Sequence, residues 1–515
     1  MKTNQVITLL LLLCASACAN NAPARTEDTT AAPAANGSAA ATNGSTPAAN
    51  APAPANGAVA AISGSAPDSP DSPGAGKIID SVICKSDPTQ SYAVYIPEKG
   101  GQPALPVIYF FDPHAAGALP LHKYKVLADE YGFILIGSNN SKNGNDWSTT
   151  ENIWRHLSDD TKNRLPINPN RIYTCGFSGG AKVAGYVALQ HPGVKGVIAN
   201  GAGLPDGTPA GDFNFSFTAI AGEGDMNMTD LVAISKDLDN SRTRHRIIFF
   251  EGKHEWAPEN SMDLAFAGFQ FDAMREGLIP ANELLINNYI AKSKKRLDAY
   301  DKANLLIKAG QECRLSIALL DGLTDEAGWF REKAARLAGN AKYQEQLQAQ
   351  ERLLTTEQNT KAEYMQHFQQ GDMQYWAKTI GDLQTRASVA KTGGSGTDKE
   401  DIYHREMYQR LLAYLSLAFY SISNHLINGS ENAEARHFVE LYKMADPTNS
   451  EAWYFSAMLD ARDGHAQATE SDLLKAVENG FRDKGRMMQQ PEFQNLSGQM
   501  DLSKIESRMH VAVRE

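Results

Sequence analysis

The chain reads as an α/β protein with a mostly parallel sheet, followed by an all-helical region, and three observations carry that reading. Apolar runs of strand length alternate with helix-length segments from about residue 106 to 250. One of those strands, over 171–175, runs straight into Gly176-Phe177-Ser178-Gly179-Gly180 and then a helical stretch. Past about residue 280 the strand signals stop, and long segments with helical apolar spacing take over.

At 515 residues the chain is too long for one core, so two or three domains are expected. With 42% hydrophobic and 21% charged residues it has the composition of a soluble globular protein. A net charge of −11 argues against a nucleic-acid partner.

Residues 1–18 read as a leader. Lys2 makes a positive start, 6–13 is an apolar run too short to span a bilayer, and Ala15-Ser16-Ala17 precedes Cys18. That ending resembles a bacterial lipobox. The resemblance implies cleavage before Cys18, its lipidation, and an exported protein tethered to a membrane by the lipid, with plain signal cleavage as the alternative. Ala19 weakly favours an outer membrane. Residues 19–76 are Ala, Pro, Asn, Gly, Ser and Thr with almost no bulky side chains, so they read as a disordered tether whose ends lie on the order of 40 Å apart. Past the leader, Cys84, Cys175 and Cys313 make an odd count that forbids a full disulfide framework, and Cys175 reads as a small buried apolar residue.

The α/β domain is expected over 77–279. A turn signal at Ser86-Asp87-Pro88-Thr89 joins a leading hairpin over 78–84 and 92–96. The run over 106–111 suits a strand covered on both faces. Helices over 121–131, 152–163, 181–190 and 229–238 then alternate with strands over 133–137, 171–175, 196–200, 217–221 and 246–250.

The strand–turn–helix around Ser178 carries chemistry. A serine on such a turn stands exposed at the strand's end, and the following N–H, at Gly179, can point at a developing oxyanion. With Asn168-Pro169-Asn170-Arg171-Ile172-Tyr173 leading into it, the segment resembles an α/β-hydrolase of the polyhydroxybutyrate-depolymerase and feruloyl-esterase-like group. The resemblance covers about 200 residues, well under half the chain. It implies a chain order of Ser, then Asp, then His. Asp225, in Gly222-Glu223-Gly224-Asp225 after a strand, matches the acid, with Glu223 as runner-up. His254, in Gly252-Lys253-His254-Glu255-Trp256, matches the base.

A second oxyanion donor is expected from Asp112-Pro113-His114-Ala115-Ala116-Gly117. The family usually has His-Gly where this chain has His114-Ala115, which leaves the N–H of Ala115 or Ala116 open. His114 reads as an orienting residue. Trp147, in a loop over 141–150, and Trp256 either line a substrate pocket or pack beneath their own loops. No metal-ligand cluster, phosphate loop or dinucleotide fingerprint stands out, so neither metal nor cofactor is expected.

The remainder, 280–515, is expected to be α-helical, with helices from 284 and over 408–426, and a loop at 391–397. A helix pair over 450–463 and 465–479 turns at Gly464. Trp453, Ala457, Gly464, Leu473 and Ala476 make 431–480 similar to a tetratricopeptide repeat. That leaves two readings: a groove for a protein or peptide partner, or a buttress on the α/β domain. For the whole chain the expectation is an exported serine hydrolase acting on an acyl ester. A peptidase on the same fold and an inert binding protein are the alternatives.

Overall fold

The computed structural model describes residues 74–98, 104–368, 372–388 and 401–509. The expected leader with Cys18, nearly all of the 19–76 tether and the 391–397 loop lie outside the described residues.

Eight strands form one sheet: β1 (Ile78–Ile83), β2 (Ser91–Tyr95), β3 (Leu105–Phe111), β4 (Ile134–Ser138), β5 (Ile167–Phe177), β6 (Val194–Asn200), β7 (Ser216–Gly222) and β8 (His245–Phe250). Their spatial order is β1-β2-β4-β3-β5-β6-β7-β8. β1 and β2 form an antiparallel hairpin, β2 joins β4 antiparallel, and every other pairing is parallel. This is the α/β-hydrolase fold that the sequence anticipates. β3 and β4 are buried at every residue, because helices cover both faces of the sheet.

Strand alternation divides the core in two. Ile108 and Phe110 point to the face covered by α1 (Ala118–Tyr131) and α5 (Glu259–Arg275). Val107, Tyr109 and Phe111 point to the face covered by α2 (Trp147–Arg164), α3 (Gly179–Gln190) and α4 (Met228–Leu238).

Two elements differ from the sequence reading. α5 has no counterpart in it. Every residue from Ala265 to Met274 is buried, because α5 is sandwiched between the sheet and the helices that follow. A helix covered all round lacks the polar stripe that betrays an amphipathic one. Trp147 does not lie in a loop: it opens α2, whose N-cap Asp146 accepts the N–H of Thr149 at 2.7 Å.

Residue 279 marks a change of secondary structure within a continuous core. α6 (Glu283–Lys302), α7 (Leu306–Leu320), α8 (Glu326–Ala338) and the start of α9 (Ala341–His367) extend the α5 face, through Tyr289, Leu297, Cys313, Leu319, Phe330 and Tyr343. α7 also packs on β8. A second core, from Tyr364 to Met509, belongs to α10 (Met373–Ser388), α11 (Asp401–Asn428), α12 (Asn432–Ala445), α13 (Ser450–Arg462), α14 (Ala466–Glu478) and the short helices after them. α9, about 40 Å long at 1.5 Å per residue, links the cores. α13 and α14 pair across Gly464, with Ala457, Leu473 and Ala476 fully buried between the helices. Trp453 stays at their surface, between Lys443 and Lys475. Among the described residues, no helix is long and apolar enough to cross a membrane.

Candidate active site

Four parallel strands, β3, β5, β7 and β8, deliver loops to one edge of the sheet, and the loops carry the residues singled out by the sequence. Ser178 sits between β5 and α3 with φ 53° and ψ −123°, a left-handed conformation that costs a non-glycine residue on the order of 1–3 kcal/mol. Its neighbours hold it there. The Ser178 N–H donates to the Asn200 carbonyl at 2.9 Å. A Cβ on Gly176 would lie 2.0 Å from the Gly180 carbonyl oxygen, and one on Gly180 would lie 1.9 Å from that of Phe111. Only glycine at both positions lets the turn close on itself and on the end of β3.

Ser178 Oγ lies 2.9 Å from His254 Nε2, and His254 Nδ1 lies 3.0 Å from each oxygen of Asp225. Asp225 is fully buried, whereas the His254 side chain is 20% exposed. The Ser178 hydroxyl and the imidazole can therefore be reached while the carboxylate is kept from water. Asp225 Oδ1 also accepts the Asn227 N–H at 2.8 Å. The Phe177 ring packs on the imidazole, with centroids 4.7 Å apart. A hydroxyl bonded to one imidazole nitrogen, with a buried carboxylate on the other, can lose its proton to that imidazole as it attacks an electrophile. Glu223 is not part of this chain of bonds, because its carboxylate turns away to Lys308 at 2.6 Å.

Asp112, which the sequence reading treated only as part of a loop, organises the β3 end. It is 4% exposed. Its Oδ1 accepts the N–H of His114 at 2.8 Å and that of Ala116 at 3.4 Å, and its Oδ2 accepts Trp256 Nε1 at 2.9 Å. One carboxylate thus shapes the loop at the expected oxyanion site and ties it to the loop bearing His254. Ala115, with φ 59°, takes a conformation that costs a residue with a side chain about 1–2 kcal/mol. Its N–H donates to the Asp112 carbonyl at 3.2 Å. Gly179 is the first residue of α3, so its N–H has no partner within that helix. Asn200 braces the same region: its Oδ1 accepts the Ala257 N–H at 2.8 Å.

Trp256 is therefore not a wall of an open pocket. It is buried among Phe110, Tyr124 and Phe177, and an indole N–H taken from water needs an acceptor such as Asp112 supplies. Trp147 is 44% exposed and stacks on Tyr186 of α3 at 4.6 Å. His114 is exposed, and its residue bridges to Lys142. Asp112 follows one strand that the sequence identified and Asn200 ends another, and a polar residue at the end of a buried strand was the available signal. Among the described residues, no group of three or more His, Cys, Asp and Glu side chains is placed to hold a metal ion.

No family model and no curated protein matches the chain. Over part of its length it is similar to a hyperthermophilic esterase from the archaeon Pyrobaculum calidifontis, at 11% identity over 39% of this chain and 87% of that one, TM-score 0.33. It is similar likewise to an S-formylglutathione hydrolase from Agrobacterium tumefaciens, at 16% identity over 32% and 83%, TM-score 0.27. A fungal esterase from Rhizomucor miehei overlaps at 12% identity over 38% and 83%, TM-score 0.31.

Proposed function

We propose that the protein is a serine hydrolase that cleaves carboxylic esters through an acyl-enzyme. The observation that carries this reading is the unbroken run of hydrogen bonds from Ser178 Oγ through His254 to buried Asp225. In the first half-reaction Ser178 Oγ bonds to the ester carbonyl carbon while its proton passes to His254 Nε2. Asp225 holds the Nδ1–H and stabilises the imidazolium. The negative charge that grows on the carbonyl oxygen faces the Gly179 N–H. Ala116 is the better second donor, because its bond to Asp112 is long at 3.4 Å, whereas Ala115 is engaged at 3.2 Å. The C–O bond to the alcohol then breaks, and His254 returns the proton to the leaving oxygen. Water repeats the sequence on the acyl-enzyme and releases the acid.

Ser178→Ala should lower turnover of p-nitrophenyl acetate by about a thousandfold or more, with the fold unchanged. Near-normal turnover by the folded variant would refute the assignment. The lipobox-like end of the leader supports a further part of this reading, an exported enzyme tethered through Cys18. On that view Cys18→Ser moves the protein from membranes to the soluble fraction, and salt-resistant membrane association of the variant speaks against it.

A further inference from the structure

The loop that bears Asp225 is gripped from outside the α/β domain. Arg410, on α11, is 3% exposed and donates through Nη1 to the Glu223 carbonyl oxygen at 2.7 Å. Its Nε and Nη2 pair with Glu357 of α9 at 2.8 Å each, and Glu357, 1% exposed, also holds Lys361 at 2.8 Å. The guanidinium is thus fixed in a plane by a carboxylate on one side and spends its remaining edge on one backbone carbonyl of the acid loop. Lys308 of α7 grips the same residue by its side chain, 2.6 Å from Glu223 Oε2 and 3.6 Å from Glu406 of α11. Gly224 lies so close to α11 that a Cβ on it would stand 2.7 Å from Gln409 Oε1 and 3.0 Å from Gln409 Cβ.

The same helix reaches the loop of the base. Arg405 lies 3.4 Å from Glu251, three residues before His254. The two loops are also bonded to each other, Gly224 N–H to the Gly252 carbonyl at 2.9 Å. The junction leaves a cavity of only about 30 Å³, room for one water, between Glu223, Tyr403, Glu406 and Arg410. A helix that served only to cover apolar surface would have no need of a buried arginine aimed at a main-chain carbonyl two residues before Asp225.

We propose that Arg410, locked by Glu357, is a positioning residue for Asp225: the C-terminal helical region completes the active site by holding the 222–225 turn where its carboxylate orients His254. The inference rests on the reading of Asp225 as the acid partner of His254. It gives the helical region a part in the reaction of the α/β domain without contributing an acid, base or nucleophile.

The test uses the full chain and four variants. Arg410→Met with Glu357→Gln removes both charges together, so that no buried carboxylate is left without its arginine. Arg410→Lys keeps the charge, with one nitrogen to serve two acceptors. Arg436→Ala breaks a partly exposed ion pair with Asp460 and Asp463 on the helices around the second core, away from the acid loop, and controls for loss of an arginine ion pair elsewhere. Active sites are titrated with a fluorophosphonate, so that kcat for p-nitrophenyl acetate is counted per reactive serine. In ¹⁵N-histidine-labelled protein the downfield proton of the His254 Nδ1–H···Asp225 bond is followed, assigned by its loss in His254→Ala.

In the folded double variant kcat per titrated serine should fall about tenfold or more, since a displacement near 1 Å can cost ~100-fold, with KM within about twofold. The downfield resonance should weaken or vanish. Arg410→Lys should fall between, and Arg436→Ala should change neither reading. An unchanged kcat per site with an unchanged resonance in the double variant overturns the proposal. If that variant does not fold, Arg410→Lys decides by the same two readings. A wild-type protein that shows the resonance but resists the phosphonate refutes the hydrolase reading alone, and the resonance in the variants still judges the clamp. A wild-type protein with no such resonance overturns the clamp outright.

Discussion

Cutting the chain after Ile279 removes every helix beyond α5, including α7, which packs on β8. What this does can be worked from α5. Phe271 loses Tyr289, whose ring meets it edge-on at 5.7 Å, and the outer face of α5 loses its cover of buried α6 and α7 side chains. Arg275 loses the carbonyl acceptors it finds at Ala318, Leu319 and Asp321. Returning a handful of large apolar side chains, Phe271 among them, to water costs on the order of 10 kcal/mol at about 2 kcal/mol each. That matches the whole stability of an ordinary domain, roughly 5–15 kcal/mol. A 74–279 fragment should therefore fail to fold cooperatively and should aggregate through the bared helix. A 74–344 fragment keeps the α6–α8 layer, so it should recover solubility while lacking Arg410. The assay is the soluble fraction on expression, cooperativity of thermal melting by circular dichroism, and fluorophosphonate labelling of each fragment. A soluble 74–279 fragment that melts cooperatively and labels like the full chain would refute the reasoning.

Two further perturbations probe the neighbourhood of the site. Trp256→Phe keeps an aromatic ring in the core but leaves Asp112 Oδ2 buried without its donor. It should cost about 1–3 kcal/mol by thermal melting and lower ester turnover through a loosened β3 loop, and an unchanged melt with unchanged turnover would sink the assigned role. Burial, and then the nearby Glu223 carboxylate, push Glu406 up to about 8 from its ordinary 4.5. A carboxyl raised by folding holds its proton more tightly in the folded chain. The stability linked to it is whole below about pH 4.5 and is lost as pH rises through 8. Glu406→Gln should therefore match wild type near pH 4.5 and exceed it at pH 9 by on the order of 3–5 kcal/mol, read as diverging melting curves. Curves that stay parallel from pH 4.5 to 9 contradict the assigned environment.

Much of the α/β domain is legible in the sequence because its signals are local. Strands buried on both faces appear as apolar runs, and the turn at Ser178 announces itself by glycines that the backbone cannot replace. Asp225 and His254 stand out because each lies a few residues past a strand, in Gly222-Glu223-Gly224-Asp225 and Gly252-Lys253-His254-Glu255-Trp256, patterns that resemble those of the family. What escaped depends on partners distant in sequence. α5 is buried on nearly all sides because helices after residue 280 enclose it, and its few polar residues, such as Gln270 and Asp272, are buried too, so no polar stripe marks it. Trp256 could not be sorted between pocket and core until Asp112 stood beside its indole, 144 residues earlier in the chain. The grip of Arg410 on Glu223 spans 187 residues, and an arginine on a helix gives no sign of which carbonyl it will meet.

The central claim is that Ser178 is activated by His254 and Asp225. The most direct test is to treat the intact protein with a fluorophosphonate and locate the adduct by peptide mass spectrometry, with His254→Ala as the companion. The account predicts one adduct, on Ser178, formed in the wild type and lost or greatly slowed in His254→Ala. An unlabelled Ser178 in folded wild-type protein, or equal labelling of the variant, would contradict it.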